Sequence, residues 1–335
     1  MSDRDRMRRS QVLPDRSARL SRRLLLGALA VAAVRPAAAA APLTVRLGAS
    51  GDSGSFFVYA GAFADAIKWA NPSITVKVER TQGSVENIAL LRDGRIDIGL
   101  VSGEIAHPQF NPSSGPPTDL RVVSAAFSNP GMFVVRADSR HQTIADLRDR
   151  PVVWTVKDSP AALQARYTLE PLGLDPDRDF EAIYTDKMTD GAAYVLDGRA
   201  SAMWGVGKRW PGFVTVAGDP RGARFIAPTP EEGQRIVERY RFLHQIVIPP
   251  GRYRRQFESI LTVGSWSYLL AGPQLTEEGG YALAAALHRI EGVSASLAGG
   301  NLAESTIGNT LSALPRPGSL HVGVERYYRE VSAIN

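Results

Sequence analysis

The chain contains no cysteine among its 335 residues. This absence excludes disulfide bonds, thiolate zinc sites, iron–sulfur clusters, a cysteine nucleophile and a lipid-modified leader cysteine. Histidine is scarce as well: there are five in the whole chain, and no two have the i, i+4 spacing of metal ligands on a helix face. The sequence therefore predicts neither a metal site nor a cofactor.

A basic surface is also lacking once the N-terminus is set aside. The formal net charge is +5, but residues 1–41 hold nine arginines and three aspartates. The rest of the chain carries 30 basic and 31 acidic side chains, a formal charge of −1. Since a nucleic-acid-binding protein needs a concentrated basic footprint, no nucleic-acid partner is predicted.

Residues 1–41 have the three parts of an export signal. A basic segment is followed by the apolar run Leu24–Val34 and by small residues at Ala37–Ala41. The apolar run is shorter than the ~20 residues that a membrane-spanning helix needs, and no later run reaches that length. We therefore predict cleavage near Ala39–Ala41 and a periplasmic protein that begins near Pro42. Ser21–Leu26 is similar to a twin-arginine signal; an ordinary secretory leader and an uncleaved anchor are the alternatives.

After residue 42, short apolar runs alternate with amphipathic segments. Leu43–Leu47 alternates as a strand, and the apolar residues of Phe56–Ala70 recur at helical spacing. The other predicted strands are Ile74–Glu79, Ile96–Val101, Gly131–Arg136, Val152–Val156, Ser201–Trp204 and Ile260–Leu270. The other predicted helices begin near Ser84 and Ala161 or cover Thr143–Leu147, Tyr194–Gly198 and Tyr281–Ile290. This alternation predicts βαβ units, an α/β fold and a mainly parallel sheet.

Serine and glycine cluster where predicted strands end and helices begin. The loop Gly48–Ser55 holds three of each, while Ser84, a candidate N-cap, and Ser159 occupy equivalent places. Helix N-termini carry unpaired N–H groups and favour anions, so together they predict a carboxylate site, although each alone is better explained by helix capping. Trp204 is either part of this cleft or of the core. The predicted ligand-binding residues are Ser50, Ser53, Gly54, Ser55, Phe56, Ser84, Val85, Asn87, Ser102, Ser159 and Trp204. Further candidate anion partners are Lys157, Lys208 and Arg209.

The string Gly51–Ser55 also looks like a serine-hydrolase motif. Such enzymes need a histidine base and an orienting acid, and their positions along the chain differ from those found here. The Asp-x-x-His match at Asp138–His141 lies in the middle of the chain. A GDS-type serine hydrolase with Ser53 as nucleophile is therefore the lesser alternative, and no catalytic residue is predicted.

Several segments, in order, resemble the TAXI-type solute-binding subunits of tripartite (TRAP) transporters over nearly the whole chain after residue 42. The most distinctive is Gly83–Asn87, followed by Leu90, Leu91, Gly94 and Asp97. The others are Ser53–Phe57 with Gly61, Leu147–Trp154, Tyr253 with Thr262–Gly264, and Leu320–Tyr328, which contains His321. Two departures stand out: Lys157–Pro160 replaces a Gly-Ser-Gly-Thr segment, and Val322 replaces a proline.

The resemblance implies a type II periplasmic-binding-protein fold, with two α/β lobes joined by crossover strands and a ligand cleft between them. We place the crossovers at about 131–136 and 259–268, by that topology. Lobe 1 is then residues 42–133 plus 266–335, and lobe 2 is 134–265. The expected protein is a monomer that binds a small organic acid or amino acid and delivers it to TRAP membrane subunits. A periplasmic sensor component is the alternative, and an enzyme is not expected.

Overall fold

The structure, a computed structural model, describes residues 42–51, 55–113, 116–291 and 300–334. The predicted export signal over residues 1–41 lies outside the described residues, together with its cleavage region Ala39–Ala41. Ser53 and Gly54 of the predicted binding loop also lie outside them. Within the described ranges, none of the helices combines the length and apolar character needed to cross a bilayer.

Strands and helices alternate at the start of the described chain, as predicted, although the third helix was not among the predicted elements. These elements are β1 (Leu43–Gly48), α1 (Ser55–Ala70), β2 (Ile74–Glu79), α2 (Ser84–Arg92), β3 (Ile98–Val101) and α3 (Gly103–Phe110). Helix α1 buries Tyr59, Phe63 and Ile67, whose spacing of four residues places them on one face. Each helix therefore covers the sheet while its N-terminus follows the carboxyl end of a strand.

The long strand β4 (Arg121–Arg136) follows, and the rest of the chain contains shorter elements. They are β5 (Pro151–Val153), α4 (Pro160–Leu169), β6 (Glu181–Ile183), α5 (Gly191–Leu196), β7 (Ala202–Val206), α6 (Pro211–Gly218), β8 (Ala223–Ile226), α7 (Pro230–Arg239), β9 (His244–Ile248), β10 (Ile260–Ala271), α8 (Glu277–Glu291), α9 (Ile307–Ser312) and α10 (Val322–Glu330). The predicted helix at Thr143–Leu147 is a short 3-10 turn at Ala145–Leu147.

The strands of the described residues form one mixed sheet. Its order is β2-β1-β3-β10-β4-β7-β5-β6, with β8 paired to β4 and β9 to β10. Strand β1 is parallel to β2 and β3, and β5 is parallel to β6 and β7. Every pairing of β4 or β10 with another of these strands is antiparallel. The prediction of a mainly parallel sheet is thus wrong at the centre, because β4 and β10 are not strands of βαβ units.

Strands β4 and β10 pair along most of their length. The register runs from Arg121 opposite Ala271 to Gly131 opposite Val263. The predicted crossovers at about 131–136 and 259–268 fall within these strands, but β4 begins ten residues earlier than predicted. These two strands form the centre of the sheet and connect its two parallel ends.

The apolar core is divided along the chain. One large cluster of buried side chains draws its members from residues 45–127 and 268–328. Three smaller clusters draw theirs from residues 132–263. The lobe boundaries given above stay a prediction.

His321 has a structural role at the start of α10. Its Nδ1 accepts a hydrogen bond from the N–H of Gly323 at 3.2 Å, and its Nε2 lies 3.0 Å from the carbonyl oxygen of Leu275. Burial lowers its pKa, which favours the neutral ring that this capping geometry requires.

Candidate functional site

Residues at the N-terminal ends of α1, α2, α3 and α4 line one cavity of about 240 Å³. Most of the lining residues fall into three groups. The polar wall consists of Ser50, Ser55, Gln82, Gly83, Ser84, Ser102 and Glu104. The apolar wall consists of Pro160, Ala161, Met188, Val206 and Trp210. The amide network consists of Asn129, Gln164 and Ser267. Phe56 and Ser159 complete the described lining, which includes no lysine or arginine.

A hydrogen bond between Ser84 and Ser102 joins the starts of α2 and α3. Ser84 is the first residue of α2, and the N-cap is Gly83, whose φ of 97° is a conformation that favours glycine. The expected capping role of Ser84 is therefore wrong. Its Oγ instead accepts a hydrogen bond from the N–H of Ser102 at 3.0 Å. This bond holds two helix N-termini beside the same cavity.

The start of α3 places a carboxyl group in the cavity lining. Gly103 begins the helix against β10, where a Cβ atom would lie 2.7 Å from the Cβ of Ser265, so only glycine permits this approach. The next residue, Glu104, is 3% exposed, and its Oε1 has no hydrogen-bond partner among the described residues. Burial raises the pKa of Glu104 to about 7, although Ser265, its own backbone N–H and Ser102 act in the opposite direction.

The start of α4 is capped as predicted. Ser159 is the N-cap, its Oγ accepts a hydrogen bond from the N–H of Ala162 at 3.2 Å, and Pro160 occupies the first turn. The preceding loop contains two non-glycine residues with positive φ, Thr155 at 68° and Asp158 at 61°. Such backbone is costly for a β-branched threonine and concentrates at ligand sites. The departure at Lys157–Pro160 therefore retains a helix N-terminus beside the cavity.

The amide network comes from three elements that are distant in sequence. Asn129 lies on β4, Ser267 on β10 and Gln164 on α4. The Nε2 of Gln164 donates to the carbonyl oxygen of Asn129 at 2.8 Å, and the Nδ2 of Asn129 donates to the Oγ of Ser267 at 2.9 Å. The Oε1 of Gln164 has no partner among the described residues, nor does the Nε1 of Trp210. Two lining residues besides Glu104 thus carry a buried polar atom without a partner among the described residues.

The structure brings six of the predicted ligand-binding residues together. Ser50, Ser55, Phe56, Ser84, Ser102 and Ser159 all line the cavity. Their contacts with a ligand stay predictions.

Three others among the predicted residues do not line the cavity. Val85 is 71% exposed. Asn87 is fully buried, and its Nδ2 donates to the carbonyl oxygens of Ala49 and Leu100 at 2.9 and 2.8 Å. Trp204 is fully buried in the core, where its Nε1 donates to Ala161 at 3.0 Å. Asn87 and Trp204 therefore hold the loops that form the site.

A second cavity of about 320 Å³ adjoins the first and shares part of its lining. The shared residues are Ser55, Asn129, Met188, Val206 and Trp210. Its remaining lining is largely apolar and comprises Val58, Tyr59, Ala62, Phe127, Arg209, Pro211, Gly300, Asn301 and Leu302.

The candidate cations occupy different places. Arg209 lines the second cavity. Lys208 forms an ion pair with Glu304, with 2.7 Å between Nζ and Oε2. The Nζ of Lys157 lies 5.9 Å from the centre of the Tyr184 ring.

Several lining residues were missed by sequence reasoning. Glu104 had a usable signal, because it follows Ser102 and Gly103 directly after the buried strand β3, as an acid in the first turn of a helix. The amide network had no such signal in the sequence, since its members reach the cavity only through the pairing of β4 with β10 and the packing of α4.

Comparison with solved structures shows an α/β fold shared with periplasmic binding proteins. A TctC solute-binding protein from Polaromonas is 15% identical and superposes with a TM-score of 0.54, covering 88% of this chain and 99% of that one. A probable amino-acid ABC transporter extracellular-binding protein, YtmK from Bacillus subtilis, is 14% identical with a TM-score of 0.48, covering 76% and 95%. The alkanesulfonate-binding protein SsuA from Xanthomonas axonopodis pv. citri is 17% identical with a TM-score of 0.44, covering 88% and 93%. At these identities the likeness concerns the fold alone, and the predicted two-lobed periplasmic-binding fold is confirmed.

The sequence itself matches a family model over most of its length. Residues 47–331 match the model of the NMT1-like family, a family of periplasmic solute-binding type. The match includes every described residue of the cavity lining. The family consists of substrate-binding proteins, so the expectation that the protein is not an enzyme is confirmed. The chain therefore belongs to the NMT1-like family of periplasmic substrate-binding proteins.

Proposed function

We propose that this protein captures a small organic acid or amino acid in the cavity between its lobes and delivers it to the membrane subunits of a TRAP transporter, as a TAXI-type solute-binding subunit. The observation that carries the proposal is the convergence of four helix N-termini on one cavity. N–H groups of the first helical turns and serine hydroxyls there are the proposed donors for a carboxylate, and the described lining holds no cationic side chain. The coarser conclusion, a periplasmic solute-binding protein, stands on the family match.

Lobe closure is the proposed means of capture. In the proposed division, lobe 1 is residues 42–133 plus 266–335 and supplies the polar wall, whereas lobe 2 is residues 134–265 and supplies Ser159 and the apolar wall. A ligand that contacts both lobes only when they are closed shifts the population toward the closed state. The contact of α4 with α3, β4 and β10 supports coupling between α4 and the remainder of the site.

Export and partner choice belong to the same proposal. The signal over residues 1–41 would be cleaved near Ala39–Ala41 and would release a monomer that begins near Pro42. The order of the TAXI-like segments along the matched region supports the TRAP partner. The serine-hydrolase alternative is set aside, because the family is one of binding proteins.

The test is a thermal-shift screen of the purified protein against amino acids, dicarboxylates, keto acids and sugars. The full-length chain is expressed with its own N-terminus and purified from the periplasmic fraction, so that N-terminal sequencing also reports the cleavage site. A ligand at 100 times its Kd adds about 2.7 kcal/mol of stability, which is readily measured. Stabilisation by acids and not by sugars is expected; stabilisation by sugars alone would contradict the proposal.

Two phenylalanine variants localise the binding site. Ser55→Phe places a large ring in the cavity lining, whereas Val85→Phe, the matched control, changes an exposed residue that does not line it. We expect the first to abolish the acid-dependent thermal shift and the second to retain it. Equal shifts in the two variants would place the ligand elsewhere.

A further inference from the structure

Glu104 is the one ionisable side chain in the described lining of the first cavity. It is 3% exposed, lies in the first turn of α3, and its Oε1 has no hydrogen-bond partner among the described residues. A buried polar atom without a partner costs free energy, so its position in a ligand cavity points to an interaction that the ligand completes.

The charged and titratable groups around Glu104 do not neutralise it. Tyr268 on β10 and Tyr167 on α4 are close enough for Glu104 to raise the pKa of each phenol, after the larger effect of burial. Strand β10 carries no charged residue. On α4, Arg166 pairs with Asp177; on α2, Arg92 donates to Gln109 at the far end of α3; and on α3 itself His107 stacks on Phe242. Among the described residues, no cation acts on the Glu104 carboxyl; burial raises its pKa by more than Ser265, Ser102 and its own backbone N–H lower it.

An ionised Glu104 and an anionic ligand could not share this cavity at low cost. Two negative charges in a water-poor space repel strongly, as in paired carboxylates that bind one proton between them. A protonated Glu104 has no such conflict, because its O–H is a donor and joins the helix N–H groups and serine hydroxyls of the polar wall. The acceptor would be an oxygen of the ligand.

We propose that Glu104 takes up one proton from solvent when an anionic ligand enters the cavity and donates it as a hydrogen bond to a ligand oxygen, so that binding is linked to pH. This inference rests on the proposed function, since it requires an acid in this site. No covalent bond of the ligand changes; the O–H of Glu104 forms with a solvent proton and is lost again on release. Above pH 7, where the free protein no longer holds the proton, affinity falls about tenfold for each pH unit.

The experiment is isothermal titration calorimetry at pH 8 in two buffers, phosphate and Tris, whose ionisation enthalpies differ. The probes are 4-methyl-2-oxopentanoate and succinate as anions, and L-leucine as the zwitterion matched to the first. We expect wild type to take up close to one proton per anion bound. Glu104→Gln takes up none, and its Kd is constant from pH 6 to 9. Glu278→Gln, the same substitution at a side chain that is 80% exposed and outside the lining, behaves as wild type.

A measurement without ligand tests the inference on the free wild-type protein. The side-chain carboxyl carbon of Glu104, assigned by its loss in Glu104→Gln, is followed by ¹³C NMR against pH. Titration near pH 7 is expected, and titration below pH 5 overturns the inference whatever binds.

The remaining outcomes separate the two proposals. Anion binding without proton uptake, or with a pH dependence that survives in Glu104→Gln, overturns the inference and leaves the proposed function standing. An affinity for L-leucine that increases toward pH 9 also overturns the inference, because Glu104 would then contact the ligand as a carboxylate anion. Absence of binding by all acids, to wild type and variant at every pH, contradicts the proposed function and the inference with it.

Discussion

The polar and apolar walls line the same cavity but are encoded and supported differently. Every residue of the polar wall lies between 50 and 104, before β4, whereas the apolar wall lies between 160 and 210, after it. Hydrogen bonds hold the polar wall, through Asn87 and the bond between Ser84 and Ser102. Ring packing around Trp204 supports the apolar wall. The polar and apolar walls are therefore encoded by separate segments, while Ser159 of α4 places one proposed anion donor in the same segment as the apolar wall.

The largest effect is expected at the support of the apolar wall. Trp204→Ala removes a fully buried ring that packs edge-on against Phe133 and donates to Ala161. We expect a loss of about 3–5 kcal/mol in the free energy of unfolding, measured by urea denaturation. Trp69→Ala, at a tryptophan that is 56% exposed, is the control and should cost less than ~1 kcal/mol. Equal losses would show that Trp204 does not support the wall.

Through Glu104 of the polar wall, the stability of the folded protein depends on pH even without ligand. Its pKa rises from the usual 4.5 to about 7 on folding, because the carboxyl is buried. Below pH 4.5 the folded and unfolded chains both hold the proton. Between pH 4.5 and 7 only the folded chain does, so wild type loses stability as pH rises, by on the order of 3 kcal/mol in total.

The variant Glu104→Gln cannot ionise and should lack that loss. The free energy of unfolding of both proteins is measured in urea at a series of pH values. We expect the value for the variant minus that for wild type to increase from pH 4.5 to pH 8. Glu278→Gln is the control and should follow wild type throughout. Parallel curves for wild type and Glu104→Gln would show that Glu104 titrates alike in the folded and unfolded chains.

Asn87 tests the hydrogen-bonded support of the polar wall. Asn87→Ala removes the buried amide that donates to the carbonyl oxygens of Ala49 and Leu100, of which Ala49 keeps a hydrogen bond from the Thr81 hydroxyl. We expect a loss of about 2 kcal/mol in urea denaturation and weaker binding of acids. Asn111→Ala, at an exposed residue outside the cavity lining, should change neither. An unchanged affinity in Asn87→Ala would mean that the polar wall does not depend on this support.

The smallest effect distinguishes a helix cap that binds ligand from one that does not. Ser159→Ala and Thr229→Ala each remove an N-cap side chain, of α4 and α7 respectively, and each should cost about 1 kcal/mol of stability. Only Ser159 lines the cavity. We therefore expect weaker acid binding by calorimetry in Ser159→Ala alone; the same affinity in both variants would assign Ser159 a purely structural role.

The sequence predicted the elements whose patterns are local. Strand β2 and helix α1 each bury one face, so periods of two and about four residues were visible in Ile74–Glu79 and Phe56–Ala70. The first ten residues of β4 were not predicted, because the strand is buried on both faces and shows no alternation. Pro130 within it argued against a central strand as well.

Residues of the site could be predicted only where they lie just after a strand or at the start of a helix. Ser55, Ser84 and Ser159 could be proposed because a helix start is visible in the sequence at each, and Ser102 because it directly follows a predicted strand. Trp204 and Asn87 are of residue types that are common in binding sites, yet in the structure both are fully buried behind the cavity lining. Their burial depends on tertiary packing, which a single sequence does not contain.

A cavity without lysine or arginine in its described lining has a consequence for ionic strength. Dipoles of N–H groups and hydroxyls act over short distances, whereas fixed charges attract an anion over about 10 Å at 0.1 M salt and are screened as salt rises. Affinity for an acid should therefore depend less on sodium chloride concentration than in a site whose lining contains a lysine or arginine. Capture would then be less sensitive to the salinity around the cell.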